Sequence, residues 1–184
     1  MKDYREIFDA IVRDARYQAN LDWGEPRAGH PEGAVRTHIA ELEQHLETLK
    51  AKLSETDYWK LKLLIHTHDT FKRESQRGVP IRHPHSHASL AREFLGSYCD
   101  DFDLLTMVQF HDEPFALWQQ WTAHGGYDPK RFDALLRNIH DWSLFLAFCI
   151  IDGCTQGKSR EPLQWFFKRV AGKVRSTITA ADIH

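Results

Sequence analysis

The chain has 184 residues, with 24 basic against 26 acidic side chains and a formal net charge of −2. That length fits one domain, and Leu, Ile, Val and Phe supply 45 residues, above the roughly 20% below which charged chains stay disordered. The near-neutral balance argues against nucleic-acid binding through a basic face, and the longest apolar run, Leu144 to Ile151, falls far short of the roughly 20 residues of a membrane span.

Helical periodicity runs through the chain and no alternating strand pattern interrupts it, so the expected fold is all-α, a single-domain bundle of seven to eight helices. A first helix is predicted over about Asp3–Asn20, with Tyr4, Ile7, Phe8, Ile11 and Val12 on one face. A Gly/Pro-rich loop follows over Trp23–Gly33. The second helix, about Ala34–Leu53, aligns Val35, His38, Leu42, Leu46 and Leu49. Ser54 suits the N-cap of a third helix carrying Tyr58, Leu61, Leu64, Ile65 and His68. Residues 73 to 82 read as a loop. A fourth helix starts near His83–His87 and runs to about Tyr98, and a fifth spans Phe102–Asp112. A shorter Trp-rich helix reaches Thr122. A long helix over Pro129–Asp152 leaves room for a break near Asp141. The last covers Glu161–Lys173, with a frayed tail after Thr177.

The composition stands out for its 12 histidines. Several extend apolar helical stripes: His38 with Val35 and Leu42, His68 with Leu64 and Ile65, His111 with Leu104 and Val108. Asp152 closes Phe145, Phe148 and Cys149 in the same way. A single inward histidine is most often a hydrogen-bonded core residue. Four helices aiming imidazole and carboxylate at one interior point is how bundles build metal sites. Without thiolate in the set, Fe, Mn, Zn, Ni or Mg suits it better than Cu(I). Cys99, Cys149 and Cys154 form no CxxC pair and read as buried free thiols. The charged N-terminus MKDYREIFDA lacks a secretory h-region, so a cytoplasmic protein is expected.

These residues carry a resemblance to the HD-domain superfamily of metal-dependent phosphohydrolases. Its hallmark is a histidine, then a His-Asp doublet, then a late aspartate, matched here by His38, His68-Asp69 and Asp152. His30-Pro31-Glu32-Gly33 leading to His38 is similar to the HPEGxVxxH segment of some members. Leu63 to Lys72 is similar to the apolar-HDxxK segment, and Cys149 to Gly153 to the late apolar-Asp segment. His83-Pro84 with Ala88 resembles an HPxxGA helix start, and Phe110 to Glu113 an aromatic-HHE segment with Asp112 in place of the second histidine. The match spans about residues 30–155.

The resemblance implies a pair of divalent metal ions. His38, His68, Asp69 and Asp152 would hold one. His83 and His111 would hold the other, with Asp69 bridging. His87 shares a stripe with Ala91 and Phe94 and rivals His83, which the His-Pro and Ala match favours. The implied activity is hydrolysis of a small anionic, phosphorylated substrate, an ester or nucleotide, with no membrane or nucleic-acid partner. Asp69 and Lys72 are the expected catalytic residues. Lys72 and Arg82 are the expected phosphate contacts, with Arg73 a weaker candidate. Glu32 and His30 are expected to structure the loop before the first ligand. His45, His66, His124, His140 and His184 fit no part of the pattern, and the tryptophans at 118, 121, 142 and 165 are expected in the core. Two other readings stand beside this one: an HD-type di-iron oxygenase acting on a small organic substrate with O2, and a non-catalytic nucleotide- or metal-binding module. The HHE-GYP signature of cyclic-dinucleotide hydrolases is not matched, since Asp112 replaces a histidine and Tyr127-Asp128-Pro129 separates Tyr from Pro.

Overall fold

Asp14 divides what the periodicity predicted as one N-terminal helix. In the computed structural model, which describes residues 3–26 and 31–184, α1 (Tyr4–Ile11) starts on Asp3, whose carboxylate accepts the N–H groups of Arg5 and Glu6. Asp14 does the same for Arg16 and Tyr17 and opens α2 (Ala15–Asn20). A short carboxylate that satisfies the free N–H groups of a new first turn competes with continuation of the old helix.

α3 (Val35–Leu49) tightens into a 3-10 turn at Lys50–Lys52. Ser54 caps α4 (Glu55–Thr67) as expected, and a 3-10 turn at Thr70–Arg73 follows. Ser86 caps α5 (His87–Gly96), and Asp101 caps α6 (Phe102–Phe110). α7 (Glu113–His124) ends at Gly125, whose φ of 71° is left-handed and suits glycine. α8 (Pro129–Asn138) and α9 (Trp142–Gly153) turn by 118° at the break near Asp141. There the Asp103 carboxylate accepts the backbone N–H groups of His140 and Asp141, and Asp141 caps α9. α10 (Glu161–Val170) completes the bundle. The break at Asp14 divides one expected helix, the break at Asp141 falls where the sequence left room for it, and the expected all-α bundle is what forms. All regular elements among the described residues are helical.

α4 and α9 sit at the centre. α9 is buried from Leu144 through Ile151 and packs on α3, α4 and α10, while α4 also meets α1, α5 and α6. No single helix among the described residues is long and apolar enough to cross a membrane. The tail corrects the expectation of fraying. Thr177 N–H donates to Ser143 Oγ at 3.0 Å, Ile178 is buried, Asp182 pairs with Lys52, and a Thr179–Asp182 capping box closes the turn Ala180–Asp182. The buried apolar residue and these pairings outweigh the polar composition that suggested a loose end.

Asp101 ties three helices together. Its carboxylate accepts from Leu104 N–H at 3.1 Å and Tyr4 Oη–H at 2.7 Å, and lies 2.8 Å from Lys60 Nζ. Burial opposes ionisation, but Lys60, Tyr4 and the helix N–H outweigh it and pull the carboxyl down to about 2 from 3.8. A depressed acid stabilises the fold above its unfolded pKa, and that contribution fades as pH falls from about 4 toward 2. Asp101→Ala should therefore lower unfolding free energy by about 2–4 kcal/mol at neutral pH, combining a lost cap with lost charged hydrogen bonds. Urea titrations should show that gap closing between pH 4 and pH 2. Asp101→Asn, which still caps, should lose about half as much.

Candidate metal centre

The site lies where the C-terminal ends of α4, α6 and α9 meet the first turns of α3 and α5. α3 is set in place by the preceding loop: Val35 N–H donates to Trp23 O and Arg36 N–H to Leu21 O. The loop turns on Gly33 at φ +76°, where a Cβ would fall 2.8 Å from Pro26 Cδ. This turn brings Glu32 beneath His38, with Oε1 3.1 Å from His38 Nδ1. A carboxylate on Nδ1 fixes the tautomer that leaves Nε2 free to ligate. His30 lies outside the described residues.

His38 Nε2 is 3.2 Å from Asp152 Oδ1, and His68 Nε2 is 4.0 Å from the same oxygen. His68 follows the last residue of α4 and directs Nδ1 to the carbonyls of Leu64 and Ile65 at 3.2 and 3.0 Å. His111, just after α6, directs Nδ1 to Val108 O at 2.7 Å. Both rings therefore present Nε2 to the interior. Asp69 stands between them. Its Oδ2 is 3.6 Å from His68 Nε2, and its Oδ1 is 3.5 Å from His111 Nε2 and 3.7 Å from His87 Nε2.

Two largely buried groups among the described residues thus have the composition and spacing to hold metal ions: His38, His68 and Asp152, and Asp69, His87 and His111. The donor atoms of each lie within 4.8 Å of one another. Donors about 2.1 Å from a shared cation stand roughly 3–4 Å apart, close to the separations found here. His68 Nε2 and Asp69 Oδ1 are buried without a hydrogen bond of ordinary geometry among the described residues. A buried polar atom left in that state is costly; a cation in the first group would satisfy His68 Nε2, and one in the second Asp69 Oδ1.

The electrostatics of His68, Asp69 and Asp152 suit a bound cation. Burial pushes His68 down to about 3, so it is the neutral form that faces the interior. Burial would raise Asp69 and Asp152, but Lys72 beside the first and Lys158 beside the second, with the histidines, hold both carboxyls well below their ordinary range. His111 responds oppositely. Burial disfavours its charge, yet Asp112 and Asp69 raise it to about 9.

His83, expected as a ligand, is not in either group. Its Nδ1 accepts from His85 N–H at 3.2 Å within the turn before α5. The helix starts one residue after Ser86, so His87 is its first residue and turns inward. Its Nε2 lies 3.2 Å from His111 Nε2 and 3.1 Å from Asp112 Oδ2. The stripe shared with Ala91 and Phe94, both buried, was the signal for it. Arg82 is also displaced from its expected role. Ile81 O is held by Gln109 and Ser86, which leaves Arg82 exposed over the Phe110 ring at 4.8 Å. Arg73 donates to Ala19 O, facing α2.

Lys72 does reach the site and pairs with Asp69. Lys158 had no motif to announce it. Its Nζ donates to Asp152 Oδ1 at 2.7 Å and to Asp152 O at 3.1 Å. Both lysines line a cavity of ≈ 720 Å³ with His68, Asp69, His111 and Asp152 on its floor. Trp118 lines its wall, whereas Trp142 and Trp165 are core and Trp121 is partly exposed. All three cysteines are buried and unpaired. The remaining histidines lie elsewhere: His66 bonds Tyr17 and Glu43, and His45 pairs with His184. Comparison with family models, curated proteins and solved structures finds no match for the chain.

Proposed function

We propose that the protein is a metal-dependent phosphohydrolase of the HD type, acting on a small phosphate ester through a binuclear centre. The observation that carries this reading is Asp69. One of its oxygens faces His68 and the other faces His87 and His111, so one carboxylate joins both groups at the floor of a lysine-flanked cavity. Divalent ions held there would supply a water of lowered pKa and polarise a phosphoryl oxygen.

The chain's own groups do the rest. Asp69 and Asp152 stay ionised, and His68 stays neutral, the forms that ligate. Lys72 and Lys158 place two ammonium groups beside the floor, where they complement the non-bridging oxygens of a phosphate. Phe148, Phe115 and Trp118 give the cavity part of its apolar lining. Asp112, 3.1 Å from His87 Nε2, adds a carboxylate beside the second group. Buried free thiols accord with a reducing, cytoplasmic setting.

Elemental analysis of protein purified without added metal, paired with aryl phosphate assays with and without air, tests the reading. The expected result is close to two equivalents of Fe, Mn, Ni, Zn or Mg and phosphate release independent of oxygen. Two irons with turnover that requires O2 would replace it with oxygenase chemistry. Metal-loaded protein inert toward phosphate esters would overturn it.

A further inference from the structure

The cavity beside the candidate centre has a mixed lining. Lys72 and Lys158 stand with the carboxylates they pair with, Asp69 and Asp152. Apolar lining comes from Phe115 and Trp118 on α7, from Leu163 on α10 and from Phe148 on α9, whose ring packs on His68. The rings of Phe115 and Trp118, one turn apart on α7, stack with centroids 5.6 Å apart and planes at 28°. Phe115 is 47% exposed. An aromatic pair held open to solvent at the mouth of a cavity is a surface that gains by being covered. The volume of ≈ 720 Å³ falls within the roughly 300–1,000 Å³ of small-molecule sites and greatly exceeds the needs of a phosphate group alone.

Lys158 is held by built structure. Arg160 donates from its guanidinium to the carbonyls of Gly153, Cys154, Thr155 and Lys158, and from Nε to His184 O. Gly157 makes the turn at φ 81°. One side chain thus organises the whole loop after α9 and fixes where the Lys158 ammonium stands.

We infer that the cavity selects a bipartite substrate: a phosphate head between Lys72 and Lys158, and a flat apolar group against Phe115, Trp118 and Leu163. The phosphate half rests on the hydrolase reading above; the apolar half rests on the wall. Short polar phosphates would then bind the floor without using the wall.

Phosphonates, which are not hydrolysed, separate the two readings. Titration calorimetry on metal-loaded protein should show phenylphosphonate binding about tenfold tighter than methylphosphonate, the scale on which a small apolar group is discriminated. Phe115→Ala and Trp118→Ala should each shrink that ratio to threefold or less, with metal content measured alongside. Lys158→Ala should weaken both compounds by about tenfold and preserve their ratio, and Lys158→Arg should recover most of the loss. Equal affinities for the two phosphonates, no binding of either, or a ratio that survives both aromatic substitutions would overturn the inference. Discrimination without hydrolysis of phenyl phosphate would remove the hydrolase reading and leave the bipartite site. Hydrolysis without discrimination would do the reverse.

Discussion

Asp69→Ala is expected to strip metal and turnover together. Its Oδ1 faces His87 and His111 within the second group and its Oδ2 lies 3.6 Å from His68 Nε2, so deletion removes a donor from the second group and the carboxylate that borders the first. Metal content should fall from about two equivalents to below one. Turnover should fall by roughly a thousandfold or more, the scale of losing several kcal/mol of charge stabilisation at the reacting phosphate. The substitution also leaves Lys72 without the carboxylate it pairs with. Burial disfavours the Lys72 ammonium, and Asp69 is the leading group that keeps it charged. Lys72→Ala supplies the contrast: it should keep both metals and lose turnover alone. If Asp69→Ala keeps full turnover, the site has been placed wrongly.

The second large effect separates His87 from His83. His87 Nε2 shares the second group with Asp69 and His111, while His83 bonds locally to His85. His87→Ala should reduce metal content from about two equivalents to about one and depress turnover by at least a hundredfold, the upper end of what losing support at a metal site costs. His83→Ala should leave metal content and turnover at the level of the unaltered protein. Inductively coupled plasma analysis of the two variants side by side decides it. Loss of an ion from His83→Ala with none from His87→Ala would reverse the ligand assignment.

The helix-borne part of the site was legible because burial has a period. His38, His68 and His111 each continue an apolar stripe, and all three are buried in the fold. Asp152 ends the most apolar helix of the chain. Periodicity fails where a helix begins, since both His83 and His87 stand near the start of α5. The cap decides between them: Ser86 accepts from Ser89 N–H, which makes His87 helical and leaves His83 in the turn. Weighting the serine above the His-Pro pair would have found this. Arg82 and Lys158 are loop residues, and loop geometry depends on distant partners such as Gln109 and Arg160 that no local pattern encodes. The break at Asp14 was readable in principle, because an aspartate before Ala-Arg-Tyr is a good N-cap. The tail docks through Thr177 and Asp182, whose partners Ser143 and Lys52 lie far back in the chain.

The donors of the centre come from five separate helices or the residues just after them, from His38 near the start of α3 to Asp152 at the end of α9. Only the folded chain brings these distant segments together, so an ion that closes on them binds the folded state in preference to the unfolded one. The free energy of metal uptake and that of folding then become a single linked quantity, rising with the logarithm of free metal concentration. Cellular metal supply would therefore set how much of this protein persists folded, as well as how fast it works.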